Sequence, residues 1–433
     1  MNKAFIICLQ IAIVSCAVSV SISQLFLFIT LILYFFRNER NVSYNNPILV
    51  LSLGIFGFYF LSFIYHLFLS REISYLTYIK GSELKDVLLF SAFFVIQGVK
   101  TREELEKLEK AFWYLLIVLL VTGLISIFSP IRLSRLITDL IKPSLAWKFS
   151  HHYGDVAGLG IHLPIGLMNT HLTFGGIFLL FAPFVFFRFI FSIRDRKNIL
   201  FHFFILCVFG VIVLLNNARS SMLGALVSIL IGFLDLLFIQ KYFSLKNTLK
   251  LLTVPFIVIS IFITLLYFNE TTTKTIAPLL GQEKHTDSGR TFIWSSTYPL
   301  IQENPFLGVG PGNYGKEIEL ARKSLSEKYQ NLLFFFEVTQ RGHAHNDFLH
   351  IAAIAGLPAM ILYILLGAVI AYYLLQHKQS RTDGILFYGL VGFFFAGLFQ
   401  CYFQDDEVVI VFWYLLGFFH LQLQNRSLSE TGT

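Results

Sequence analysis

Residues 341–347 read Arg-Gly-His-Ala-His-Asn-Asp and stand directly before an apolar run, Phe348 to Leu375. Two histidines, an arginine and a carboxylate at the mouth of such a run have two explanations. They anchor a membrane helix at the lipid interface, or they form a reaction site that faces water. His345 is the strongest single candidate for chemistry. Asn346 and Asp347 suit the N-cap region of the following helix, which puts His345 at that helix's positive end. Such an end favours the neutral imidazole, able to act as a base, and attracts phosphates. Gly356 follows eleven residues on, about three turns, so it lies beneath His345 on the same face. A glycine there lets another helix approach closely. His343 is equally a second site residue or an interfacial anchor. Arg341 suits the anchor, and the deeper His350 reads as structural.

Two further arginines belong with this stretch. Arg219 lies in Asn216-Asn217-Ala218-Arg219-Ser220-Ser221, a short turn between apolar runs. An arginine at a membrane helix mouth is costly and points to function; the bland alternative is snorkelling to head groups. After it, Ser221, Ala225, Ser228 and Gly232 fall on one helical stripe, as close helix packing requires. Arg290 opens Arg290-Thr291-Phe292-Ile293-Trp294 and precedes Glu303 to Asn313, a turn shaped by glycine and proline. Gly308-x-Gly310-x-Gly312 is no nucleotide loop, because no strand and helix of a βαβ unit flank it. No His-Glu-x-x-His spacing and no carboxylate cage occurs, so no metal and no cofactor is expected. The recurrent chemistry is arginine plus histidine. Guanidinium groups grip phosphate bidentately and stay charged, and a neutral histidine takes a proton from a hydroxyl. Together they suggest transfer from a lipid phosphate or diphosphate donor to a hydroxyl acceptor.

These residues must be positioned by membrane helices. The chain of 433 residues is 56% hydrophobic and only 14% charged, against about 25% charged in soluble domains. Its mean hydropathy is +0.69. The net charge of +7 reflects orientation in a membrane and is no sign of nucleic-acid binding. Cys8, Cys16, Cys207 and Cys401 all lie in apolar runs and read as small hydrophobes. Lys3 and the apolar residues after it read as a first membrane helix and not as a cleaved signal. A span needs about 20 apolar residues. Twelve runs qualify: 4–20, 22–36, 46–69, 86–99, 111–129, 171–191, 198–216, 220–239, 249–268, 347–375, 384–401 and 406–423. The first two form a tight hairpin, and 86–99 is short.

With both termini in the cytoplasm, the inner loops hold Arg37 and Arg40, Lys107 and Lys110, Arg194 and Arg196, Lys241 and Lys246, then Lys378 and Arg381. That distribution obeys the positive-inside rule. The expected fold is therefore an all-α polytopic membrane protein, a single domain over 1–433. Its two long outer, periplasmic segments are about 130–170 and 269–346. Tyr314 to Gln330 in the second reads as an amphipathic surface helix around Ile318, Ala321 and Leu325. In the first, His151, His152, His162 and His171 have no assigned role.

The chain resembles the O-antigen ligase/polymerase superfamily of bacterial membrane glycosyltransferases. Three patches carry the likeness: Arg219 to Gly224; Gly289-Arg290 to Trp294 with Asn304-Pro305 and Gly308 to Asn313; and His343 to Leu349 with Gly356. The twelve-span layout agrees along the whole length, whereas the motifs cover the second half. The resemblance is greatest to the O-antigen ligase. It implies transfer of a polysaccharide from undecaprenyl diphosphate to a lipid A–core hydroxyl, in the inner membrane, with the site facing the periplasm and no metal. Arg219 and Arg290 would hold the diphosphate, His345 would be the base, and His343, Asn346 and Arg341 would support it. The partners implied are the lipid-linked glycan donor, a lipid A–core or growing-glycan acceptor, and membrane lipids. Gly356-Leu357-Pro358-Ala359 departs from the small-residue pattern of the ligases. A polysaccharide polymerase, a protein O-oligosaccharyltransferase and a polysaccharide transporter are the alternatives.

Overall fold

A computed structural model describes residues 2–37, 46–70, 83–134, 152–156, 159–239, 289–329, 342–376 and 384–431. Lipid offers no partner for backbone N–H and C=O groups, so the apolar runs fold as helices that satisfy their own. In chain order these begin with α1 (Asn2–Ser15), α2 (Val20–Phe35), α3 (Pro47–Ser70), α4 (Asp86–Leu89), α5 (Ser91–Ile96) and α6 (Arg102–Phe128). A small antiparallel pair, β1 (His152–Val156) and β2 (Leu159–His162), follows. Then come α7 (His171–Asp195), α8 (Ile199–Asn216), α9 (Arg219–Leu234), α10 (Arg290–Glu303), α11 (Tyr314–Lys328), α12 (Asp347–Gln376), α13 (Tyr388–Ala396) and α14 (Asp406–Thr431).

Seven of the described helices are long and apolar enough to cross a membrane: α3, α6, α7, α8, α9, α12 and α14. Three shorter apolar helices are α1, α2 and the segment ending α13. The chain is an all-α membrane protein, with the β1–β2 hairpin as a local departure. The candidate span 249–268 lies outside the described residues. The 86–99 run is two short helices broken at Phe90, too short to cross as one. The 384–401 run ends its helix at Ala396, and 397–405 turns back into the protein. Phe28, Phe60, Phe68, Phe128, Leu200 and Phe204 are exposed, as lipid-facing side chains are.

The helices pack through small residues and a few polar staples. The α1–α2 hairpin is closed by Ser23, whose Oγ donates to the Ala12 carbonyl at 2.7 Å. α7 and α14 are the most enclosed of the long helices. α9 and α13 meet at two glycines: a Cβ on Gly224 would stand 2.6 Å from the Gly392 carbonyl oxygen. The stripe Ser221, Ala225, Ser228 and Gly232 is buried, as close packing demands. On α11 the buried face is Tyr314, Ile318, Arg322 and Ser326, at i, i+4 spacing. Ala321 and Leu325 sit only at its edge. The amphipathic helix is real, but its buried face includes an arginine that stacks 5.3 Å from the Phe292 ring centre.

α12 is interrupted at Gly356, which has φ +89° and ψ 168°. Pro358 has no N–H to give the Ile354 carbonyl, four residues back. Leu357 N–H donates instead to the Pro305 carbonyl at 2.8 Å. Two carbonyls of α12 are thereby left open, and the 304–313 loop fills them. Val309 N–H donates to Ala353 O at 2.7 Å and Gly310 N–H to Ile354 O at 3.1 Å. Ser62 Oγ of α3 also donates to Ile354 O, at 3.0 Å, and His66 Nε2 bonds the Gly308 carbonyl at 2.9 Å. The close approach expected at Gly356 therefore occurs, but the partner is a loop and not a helix. A helix could not offer free N–H groups to those carbonyls.

A Cβ at Gly356 would overlap the Phe306 carbonyl on a left-handed backbone. Gly356→Ala should cost about 3 kcal/mol or more, seen as a lowered Tm in detergent. Gly57→Ala, with nothing within 4 Å of the new Cβ, should leave Tm unchanged or slightly raised.

Candidate functional site

The candidate residues gather where 342–346 enters α12. This entry is stapled to the turn that follows α13. Asp347 N–H donates to Gly397 O at 2.7 Å. Asn346 Nδ2 donates to Leu398 O at 3.0 Å. Asp347 Oδ1 accepts from Phe403 N–H at 2.9 Å, and its Oδ2 from the Tyr363 hydroxyl at 3.3 Å. Asn346 is the N-cap, since its Oδ1 accepts Leu349 N–H at 3.0 Å. Asp347 is instead a fully buried clamp between α12 and the 397–403 turn. Trp294 of α10 closes the other side, donating from Nε1 to Ala344 O at 3.0 Å. The Cys401 sulfur lies against the N–H groups of Asn346, Ala344 and His345.

Within this frame His345 takes φ +50°, a left-handed conformation uncommon outside glycine and held by the surrounding bonds. Its Nδ1 is 2.8 Å from Gln400 Oε1. Its ring centre is 4.4 Å from that of His343. Burial lowers the His345 pKa below the ordinary imidazole value; the Gln400 bond opposes this, while the charges of Arg290 and His350 add to it. His343 is pushed down to about 3, by burial first and then by His345 and His350. Both rings are thus held toward the neutral form. His343 packs against His345.

Arg290 is the first residue of α10, after Gly289 in the left-handed region, and its charge reaches His345. Trp294, one turn further on, holds the same loop as His345. Arg219 begins α9 and is half-buried. Its neighbour Ser220 has its Oγ 2.9 Å from the Tyr402 hydroxyl, two residues from Gln400. Asn216, before the turn, donates from Nδ2 to Pro164 O at 2.8 Å. Hydrogen bonds thus tie the starts of α9 and α12 and the 397–403 turn to one end of the bundle, with α10 joined through Trp294. Arg341 lies outside the described residues.

Beneath the histidines, His350 is buried as expected, with Nε2 3.4 Å from Glu83 Oε1 and its ring 4.6 Å from Tyr314. Glu83 Oε2 accepts the Gly312 N–H at 2.6 Å. Burial would raise the Glu83 pKa, but the bond and charge of His350 and the Gly312 N–H bring it below the usual value. Of the unassigned histidines, His162 ends β2 and is buried, and His171 starts α7. His151 and the side chain of His152 lie outside the described residues.

Sequence reading missed Gln400, Tyr402 and Glu83. Gln400 sat inside a presumed span, where a lone polar residue gives little signal. The acidic run from Gln404 to Glu407 was the available hint that the helix does not continue there.

Arg290→Gln should raise the His345 pKa, because a positive charge that disfavours the imidazolium is removed. The midpoint for acylation of His345 by diethyl pyrocarbonate, followed by mass spectrometry against pH, should move upward. An unmoved midpoint would show that Arg290 does not act on this ring.

Residues 201–364 match the family model described as O-Antigen ligase. The matched segment runs from α8 into α12 and holds Arg219, Arg290, His343, His345 and Asn346. No curated protein matches the chain. The matched segment, which carries the arginines and histidines described here, is similar to the O-antigen ligase family.

Proposed function

We propose that this protein transfers a polysaccharide from undecaprenyl diphosphate to a lipid A–core hydroxyl at the periplasmic face of the inner membrane. The superfamily supports glycosyl transfer of the ligase/polymerase type in general. The observation that carries the finer reading is the neighbourhood of His345. A neutral, half-buried histidine stands at a capped helix N-terminus, within electrostatic reach of Arg290.

The chemistry follows from those groups. The acceptor hydroxyl gives its proton to His345 Nε2 as its oxygen bonds the anomeric carbon. The bond from that carbon to the diphosphate oxygen breaks, and the lipid diphosphate leaves with the electron pair. Arg219 and Arg290 stabilise the charge that develops on the leaving group. Guanidinium groups do this without a metal, in a bidentate geometry suited to phosphate. Donor and acceptor are both held at the membrane, so positioning supplies much of the rate. His343, Asn346 and Arg341 support the base. A single displacement inverts the anomeric centre; a trapped glycosyl-enzyme or a retained configuration contradicts it.

A polysaccharide polymerase is the second reading, favoured by Pro358, which departs from the ligase pattern at the break in α12. Glycolipids in a deletion strain separate the two. Loss of a ligase leaves long glycan on the lipid carrier and bare core. Loss of a polymerase leaves core carrying one repeat unit.

With purified protein, donor and acceptor, His345→Ala should lower transfer by about 10²–10⁴-fold while the protein stays folded. Arg219→Lys should lower it about 10²-fold, because the charge remains but the fork is lost. Near-normal activity in either variant removes that residue from its role. Chelators should have no effect, and strong inhibition by them would contradict the metal-free mechanism.

A further inference from the structure

We infer that Gln400 is a positioning residue of the transfer reaction: its side-chain oxygen holds His345 in one tautomer and thereby turns the Nε2 lone pair to the acceptor hydroxyl. The inference rests on the reading of His345 as the base. An amide oxygen can only accept a hydrogen bond. With Gln400 Oε1 2.8 Å from Nδ1, the proton of the neutral ring sits on Nδ1 and Nε2 is bare. The partner of one ring nitrogen sets which nitrogen is free to react.

The turn that carries Gln400 is built to hold it still. Gln400 is buried. The carbonyls of Gly397 and Leu398, just before it, take Asp347 N–H and Asn346 Nδ2. Phe403 N–H, just after it, is taken by Asp347. Gln400 and His345 thus face each other across a set of short bonds that fix both backbones. None of those bonds involves the Gln400 side chain, so its only described polar partner is the ring it orients.

An amide carries no charge, so it favours the imidazolium less than a carboxylate would. Besides burial, the groups acting on the His345 ring are Gln400, Arg290 and His350, and the His343 ring packs beside it. Burial and the charges of Arg290 and His350 oppose the imidazolium, and Gln400 favours it. A carboxylate in place of the amide would accept the same Nδ1–H but would favour the charged ring, which cannot act as base. Gln400 therefore orients the histidine without protonating it.

The test is the pH profile of transfer by purified protein in lipid, with Gln400→Glu and Gln400→Leu beside wild type. Activity requires neutral His345, so it falls on the acid side through that pKa. Gln400→Glu should keep the tautomer and move the acid limb to higher pH. Gln400→Leu removes a bond that favours the imidazolium, so its acid limb should move to lower pH. Its plateau kcat should fall about tenfold or more, the usual scale for a partner that orients a histidine, with KM little changed. Opposite shifts support the inference, and Gln400→Glu alone decides it if the leucine variant does not fold. Acid limbs that stay put in folded variants overturn it. His345→Ala separates the levels: if that variant is active, the base reading fails and takes this inference with it. If it is inactive while the Gln400 profiles are unmoved, only the role of Gln400 fails.

Discussion

Two backbone carbonyls, those of Ala353 and Ile354, govern how this end of the molecule is assembled. The break at Gly356 and the missing N–H of Pro358 deprive them of helical partners. A buried, unpaired carbonyl costs about 1–3 kcal/mol, and lipid offers no water in compensation. Val309 and Gly310 supply the missing donors. The 304–313 loop is therefore bound to α12 by necessity, at a point just beneath His345. That loop continues directly from α10, and α10 carries Arg290 and Trp294. A helix defect thus ties the arginine and the histidine, far apart in the chain, into one local frame.

The second half of the frame comes from the 397–403 turn. Asn346 and Asp347 spend their polar atoms on it as well as on the helix they begin. Tyr402 carries the connection onward to Ser220, beside Arg219. The segment that carries His345 is held on both sides, by Trp294 at the Ala344 carbonyl and by the bonds of Asn346 and Asp347. The same burial that makes those bonds strong keeps His343 and His345 toward neutrality.

Much of the fold was legible in the sequence because lipid imposes a simple rule. Apolar length alone places α3 at Pro47–Ser70 against a reading of 46–69, and α7 from His171 on. The rule fails where apolar sequence does not continue a helix. Gly397 to Phe403 is apolar enough to extend a span, yet it turns because its carbonyls and N–H groups are claimed by Asn346 and Asp347. That is why Gln400 escaped notice. The β1–β2 hairpin escaped for another reason: its strands are four and five residues long and carry no apolar alternation. Residue type pointed to His345, Arg290 and Arg219, since charge and imidazole are rare beside lipid. Partners of ordinary type, such as Gln400 and Tyr402, acquire their roles only from tertiary contacts.

The central claim is that His345 rests as a neutral ring, protonated at Nδ1 and bare at Nε2. Nitrogen-15 NMR of histidine-labelled protein in membranes at neutral pH reads this directly, with His345 assigned by its loss in His345→Ala. The account predicts one protonated nitrogen bonded to Gln400 and one unprotonated nitrogen. An imidazolium, or a ring protonated at Nε2, would contradict it.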